Sequence, residues 1–186
     1  MPKRISSLAQ AYQKGVFGKK DKTGVILSEV QDLILYQVAA WPETLNEVGN
    51  KLAKAYELKE YPSANKALNG SQVVMLRIEP LKWWILGGDV ENLLPEEGSI
   101  LNLSHSRTHL RISGNDSVSL LNRHLPLDLR ENSFPLNSVA STAFHHCSVT
   151  LWRSKKGYEL FLPRAFALSL WEVLLESAAQ FGYEIK

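Results

Sequence analysis

Five histidines and the single cysteine of this 186-residue chain fall close together: His105, His109, His124, His145, His146 and Cys147. Imidazole and thiolate are common zinc ligands, so metal binding is the first chemistry this cluster suggests. On a strand, His145 and Cys147 would share one face, and His105 or His109 could approach from a neighbouring strand. The spacing fits no zinc pattern, however, and no acidic residue accompanies the group along the sequence. Surface or hydrogen-bonded histidines are the favoured reading, with no metal ligand assigned. As a nucleophile, Cys147 would need a base and a group to orient it. His145 is two residues away, yet the surrounding apolar alternation favours a buried, inert thiol. Asp128, Arg130 and Glu131 could move protons, but an ion pair across a turn explains the same spacing.

Other chemistry finds no support. Neither G-x-G-x-x-G nor G-x-x-x-x-G-K-[ST] occurs, so the common phosphate cradles are absent. Gly87-Gly88 reads as a turn, and no G-x-S-x-G elbow is present. The tryptophans, Trp41, Trp83, Trp84, Trp152 and Trp171, neighbour Ile and Leu rather than the Lys and Arg expected of a base-stacking platform. No catalytic and no cofactor-binding residue is therefore assigned.

Composition limits the class further. Apolar residues make up 45% and charged residues 22%, the mix of an ordinary globule. A net charge of +2 gives no broad basic field for nucleic acid. The charge is uneven: Lys3, Arg4, Lys14, Lys19, Lys20 and Lys22 face only Asp21 in the first 22 residues. One cysteine excludes an internal disulfide and fits a reducing compartment. No apolar run reaches the roughly 18–20 residues of a membrane span, and the basic start lacks a secretory apolar core. The expectation is a cytoplasmic protein with no membrane contact.

Stepping along the chain, residues 1–23 lack periodicity and read as a flexible basic arm, either disordered or ordered on a partner. Val25–Val30 and Leu33–Val38 read as strands. A helix follows Pro42, with Leu45, Val48, Leu52 and Tyr56 on one stripe. Residues 58–69 read as a loop. Val73–Ile78, Trp83–Leu86, Ile100–Leu103 and Thr108–Ile112 read as strands, then a short helix over about Asp116–His124. The clearest hairpin runs from a long strand, Thr142–Arg153, through Ser154-Lys155-Lys156-Gly157 to Tyr158–Leu162. Helix, strand, hairpin and strand thus occur twice, at 42–86 and 116–162. That order predicts an α+β fold of two duplicated ferredoxin-like halves sharing an antiparallel sheet.

The final helix, from Pro163 to Gly182, is apolar on two sides. Phe166, Leu170, Leu174 and Phe181 form one stripe, and Leu168, Trp171, Leu175 and Ala178 another. Such a helix must be covered on more than its sheet side, by its own chain or by another polypeptide.

From Asn102 onward the sequence resembles a known family. The matching residues are Ser106-Arg107-Thr108-His109-Leu110-Arg111-Ile112-Ser113-Gly114 and Leu125-Pro126-Leu127-Asp128-Leu129-Arg130 with Phe134-Pro135. Ser141-Thr142 opening a strand, Phe161-Leu162-Pro163-Arg164-Ala165-Phe166-Ala167, Ser169-Leu170-Trp171 and Phe181-Gly182 complete the pattern. In order and spacing these resemble the gamma subunit of heterotetrameric sarcosine oxidase. Where that family has a Gly-Pro-Asp-Glu-Trp-like turn, this chain has Gly87-Gly88-Asp89-Val90.

The resemblance implies a fold similar to the first domain of folate-dependent aminomethyltransferases, here over residues 24–186 as one domain. It implies a non-catalytic gamma subunit bracing the large (alpha) subunit of an oxidase that demethylates sarcosine to glycine. FAD, FMN, NAD and tetrahydrofolate would serve the complex from its other subunits, with no cofactor on this chain. Arg107, Asp128, Phe134, Arg164 and Trp171 are the subunit-interface candidates. The polar ones could equally be internal ion-pair partners. Two other readings stand beside this one: a subunit of a related N-methyl amino acid dehydrogenase or oxidase, and a free-standing folate-binding module.

Overall fold

The computed structural model describes residues 5–19 and 23–186, and these divide into two compact units. The first draws its described residues from Met1–Gln31, Ser106–Leu136 and Thr142–Lys186. The second comprises Asp32–His105 and Asn137–Ser141.

In chain order, β1 (Gly15–Phe17) and β2 (Val25–Glu29) open the first unit. The second unit follows with β3 (Leu35–Ala40), α1 (Leu45–Ala55), β4 (Ala67–Asn69), β5 (Val74–Glu79), β6 (Lys82–Leu86) and β7 (Gly98–Asn102). Its sheet is antiparallel, in the order β4-β5-β6-β3-β7. The apolar stripe of α1 explains its seat: Val48 and Leu52 bury against Val38, Met75, Trp83 and Ile85 of the sheet. Gly49 within α1 would ordinarily cost about 1 kcal/mol against alanine. Here the Tyr61 ring occupies the space a Cβ would need, so the small residue lets that aromatic close over the helix.

The chain then returns to the first unit through β8 (Arg107–Ser113), α2 (Ser117–Leu121), β9 (Val139–Phe144), β10 (Cys147–Ser154), β11 (Gly157–Pro163), α3 (Ala167–Ala178) and β12 (Tyr183–Ile185). These build a seven-stranded sheet ordered β1-β12-β2-β8-β11-β10-β9, in which β12 and β2 pair in parallel. Leu110 and Ile112 alternate with His109, Arg111 and Ser113 and are fully buried, and Leu160, opposite Leu110, is buried with them.

A strand, a helix and a hairpin recur in both units. In each, the last hairpin strand pairs antiparallel with the first strand: β6 with β3, and β11 with β8. The architecture is thus α+β with antiparallel sheets, but not with one sheet shared between the repeats. There are two sheets, and the larger one holds a parallel pair.

Three sequence expectations change. The arm expected over 1–23 is packed where it is described: Leu8 is fully buried, Tyr12 stacks on Trp171 at 5.6 Å, and β1 pairs with β12. Residues 1–4 and 20–22 of that arm lie outside the described residues. The stretch 142–153 is not one strand but two, because His145 takes a φ of +52° and the chain turns back as a hairpin. Finally, Gly182 ends the last helical segment with a φ of +66°, and β12 follows, adding an unforeseen strand.

Candidate functional site

The polar centre of the first unit follows from strand register. Arg111 lies opposite Glu159 and His109 opposite Phe161 across β8 and β11. Residues two apart share a face, so all four side chains stand on one side of the sheet. On β10, Trp152 lies opposite Glu159, and Ser154 opposite Gly157. Glu159 is 1% exposed and His109 4%. His109 Nε2 donates to Glu159 Oε2 at 2.7 Å, while Arg111 Nε and the Ser154 hydroxyl donate to Oε1, each at 2.8 Å. Ser154 Oγ also accepts the Lys156 N–H at 3.0 Å, which ties the β10–β11 turn to the cluster. His109 packs flat on Phe161, their centroids 4.3 Å apart.

Burial pushes the Glu159 carboxyl up, but the hydrogen bonds from His109, Arg111 and Ser154 outweigh it, and the net shift is downward. A carboxylate beside an imidazole is general acid–base equipment. Here both carboxylate oxygens are already occupied and the pair is closed to solvent. The arrangement clamps three strands together rather than presenting a reactive group. Sequence reasoning missed Glu159, although a lone acid within the apolar run Tyr158–Leu162 was a readable signal.

The remaining histidines do not join this cluster. His105, His145 and His146 are exposed, and Cys147 is half-buried at the start of β10 rather than sealed in a core. His145 lies in the turn between β9 and β10 while Cys147 opens β10, so they do not share a strand face. Among the described residues no group of three or more His, Cys, Asp or Glu is placed to hold a metal ion. His124 stacks on Phe144 at 4.6 Å, meets His145 edge-on at 5.6 Å, and neither of its buried ring nitrogens has a hydrogen-bond partner. Burial, then the neighbouring His145 and Arg123, pull its pKa below the ordinary 6.5. The neutral ring is favoured in the folded state, so stability from this site is full above about pH 6.5 and falls as the solution is acidified below it. His124→Phe should flatten that acid-side loss, read as melting temperature against pH. An unchanged profile would remove His124 as its source.

Of the interface candidates, two come together. Ser106 O accepts from Arg107 Nη1 at 3.2 Å and from the Arg164 N–H at 2.9 Å, where Arg107 lies opposite Pro163. Arg164 Nη2 also donates to Ile5 O. Asp128 stands elsewhere, in an exposed turn: Arg130 grips it with Nε at 2.8 Å and Nη2 at 2.6 Å, and Ser133 adds a third donor at 2.6 Å. Those donors hold its carboxyl well below the usual carboxylate range. The turn ion pair thus accounts for Asp128. Phe134 and Trp171 are both buried within this chain, Trp171 completely. The packed N-terminal segment covers the second stripe of α3 at Trp171, through Tyr12. What α3 leaves outside is Phe166, just before its start, and Leu168, while Ile5, whose carbonyl takes Arg164, is 65% exposed.

No family model matches the chain. Its sequence is 32% identical over 91 residues to the sarcosine oxidase subunit gamma of Arthrobacter sp, covering 49% of this chain and 45% of that protein. The subunit gamma of Corynebacterium sp. (strain P-1) is 31% identical over 90 residues, covering 48% and 44%. The matched stretch spans under half the length of these relatives. In structure, the chain superposes on one from the heterotetrameric sarcosine oxidase of Corynebacterium sp. U-96, in complex with pyrrole 2-carboxylate, with TM-score 0.79, 21% identity and 96% of both chains covered. It also superposes on the glycine cleavage system aminomethyltransferase T of Bartonella henselae, with TM-score 0.56, 16% identity, and coverage of 86% of this chain and 50% of that one. The same fold therefore occurs in half of an aminomethyltransferase chain and as a whole chain of the oxidase. The chain is thus similar to sarcosine oxidase gamma subunits in sequence over just under half its length, and in fold to a chain of the heterotetrameric oxidase over nearly all of it.

Proposed function

We propose that this chain is the gamma subunit of a heterotetrameric sarcosine oxidase and that it braces the large subunit without performing chemistry itself. The observation that carries the reading is the end-to-end agreement with a chain of that complex, 96% of each, where the aminomethyltransferase is matched over only half. The clamped state of Glu159 and His109 supports it, because the best-equipped polar cluster is already satisfied internally. In this reading the complex demethylates sarcosine to glycine in the cytoplasm, and FAD, FMN, NAD and tetrahydrofolate serve it from the other subunits. The recurring strand, helix and hairpin support a duplicated ferredoxin-like ancestry for the two units. No helix among the described residues is long and apolar enough to cross a membrane.

The contact we assign is the outer side of α3 and its approach: Arg164, Phe166 and Leu168, with Ile5 and Arg107 at the same end. Phe166 and Leu168 are both exposed at the start of α3, and exposed apolar side chains grouped together mark such surfaces. Phe166→Asp with Leu168→Asp should lower recovery of the complex on co-expression with the large subunit by about tenfold or more, since buried aromatic anchors are each worth roughly 2 kcal/mol or more. The melting temperature of the variant alone should stay near wild type. Undiminished recovery of the complex would refute this surface.

A further inference from the structure

We propose that a second, cationic contact lies in the first unit: a shallow groove over the β10–β11 turn that receives an acidic segment of the large subunit. This rests on the gamma-subunit reading and adds the partner's chemistry at a surface distinct from α3. The groove encloses about 560 Å³, and Arg153, Lys155 and Lys156 line it alongside Ser113, Ser117 and a single acid, Glu131.

The guanidinium of Arg153 is held in place rather than free. Its Nη1 donates to Phe134 O at 2.8 Å, and its face lies over the Tyr158 ring at 5.9 Å. Its side chain is only 22% exposed, so its charge is partly desolvated and positioned before any partner arrives. The carboxylate facing it belongs to Glu131, whose side chain is 81% exposed and reaches only 3.5 Å from Nη2. An exposed pair of that length contributes little, roughly 0–1 kcal/mol, and is easily exchanged. Lys155 and Lys156 stand at the exposed tip of the turn and have no ion-pair partner among the described residues. Three cations against one loosely held acid make a surface short of negative charge. Glu131 marks the place an incoming carboxylate would take. Arginine suits that role because its fork accepts a carboxylate with two parallel hydrogen bonds.

The test uses the full chain and the purified large subunit, with affinity measured over a range of salt concentrations. Lys155→Glu with Lys156→Glu should weaken binding about tenfold and flatten its salt dependence, because charges at an interface rim act through long-range, screened attraction. Glu131→Ala should tighten binding a few-fold by clearing the site. Circular dichroism should show both variants folded. Wild-type affinity and salt dependence in the lysine variant would overturn the proposal while leaving the gamma-subunit reading intact. So would a groove that binds inorganic phosphate while both variants pair normally with the large subunit. A wild-type chain that fails to bind the large subunit at all would overturn both readings.

Discussion

Glu159→Ala should destabilise the protein by about 3–5 kcal/mol, because it removes one side of a buried charge cluster and leaves the other in place. Arg111 and His109 would then face a hydrogen-bond acceptor that no longer exists, at a position 1% exposed in the native chain. Ser154 would lose its carboxylate acceptor and keep only the longer bond to Gly157 O at 3.2 Å, which loosens the β10–β11 turn from the cluster. Glu159→Gln should cost less, since the amide oxygen can still accept one of the three donors. Denaturant midpoints measure both. An alanine variant as resistant as wild type would show that the cluster contributes nothing to stability. The pH dependence has a definite sign. The carboxyl is held below its ordinary value of 4.5, so its contribution is full above that pH and is lost as pH falls through the lower folded value.

Trp171→Ala should be comparably severe, about 3–5 kcal/mol, as expected for deleting a large aromatic side chain from a packed core. The ring is fully buried and stacks on Tyr12 at 5.6 Å, so its loss uncouples the N-terminal segment from α3 as well as opening a cavity. Trp171→Asp should leave the first unit unfolded, because the cavity would then hold an unpaired charge. Phe166, five residues earlier, is 53% exposed, and its replacement should move stability little. That contrast separates packing from docking on one helix. A folded, normally melting Trp171→Asp variant would contradict the internal role, and loss of complex recovery in that variant would then mean direct contact after all.

The alternating and stripe patterns were legible because they depend only on local periodicity. The stripe of Leu45, Val48 and Leu52 placed α1, and the alternation of Leu110 and Ile112 placed β8, with ends displaced by one to three residues. The hairpin around Ser154-Lys155-Lys156-Gly157 was marked by its polar turn and by Gly157, whose φ is +128°. The turn at His145 was not legible, since neither His145 nor His146 is among the residues that usually mark a turn. Short strands such as β1, β4 and β12, each of three residues, hold too few positions to display a period.

Local sequence also determined that no nucleophile elbow, phosphate cradle or metal spacing exists, because each needs fixed residues at fixed intervals. It determined that α3 needed cover on two sides. Only the tertiary structure decided who provides that cover, since Tyr12 meets Trp171 across more than 150 positions of chain. It alone decided that Glu159 pairs with His109, 50 residues away, through the register of β8 against β11. Long-range pairing is set by how strands and helices close on one another, and no periodicity within a single segment encodes the identity of its neighbour.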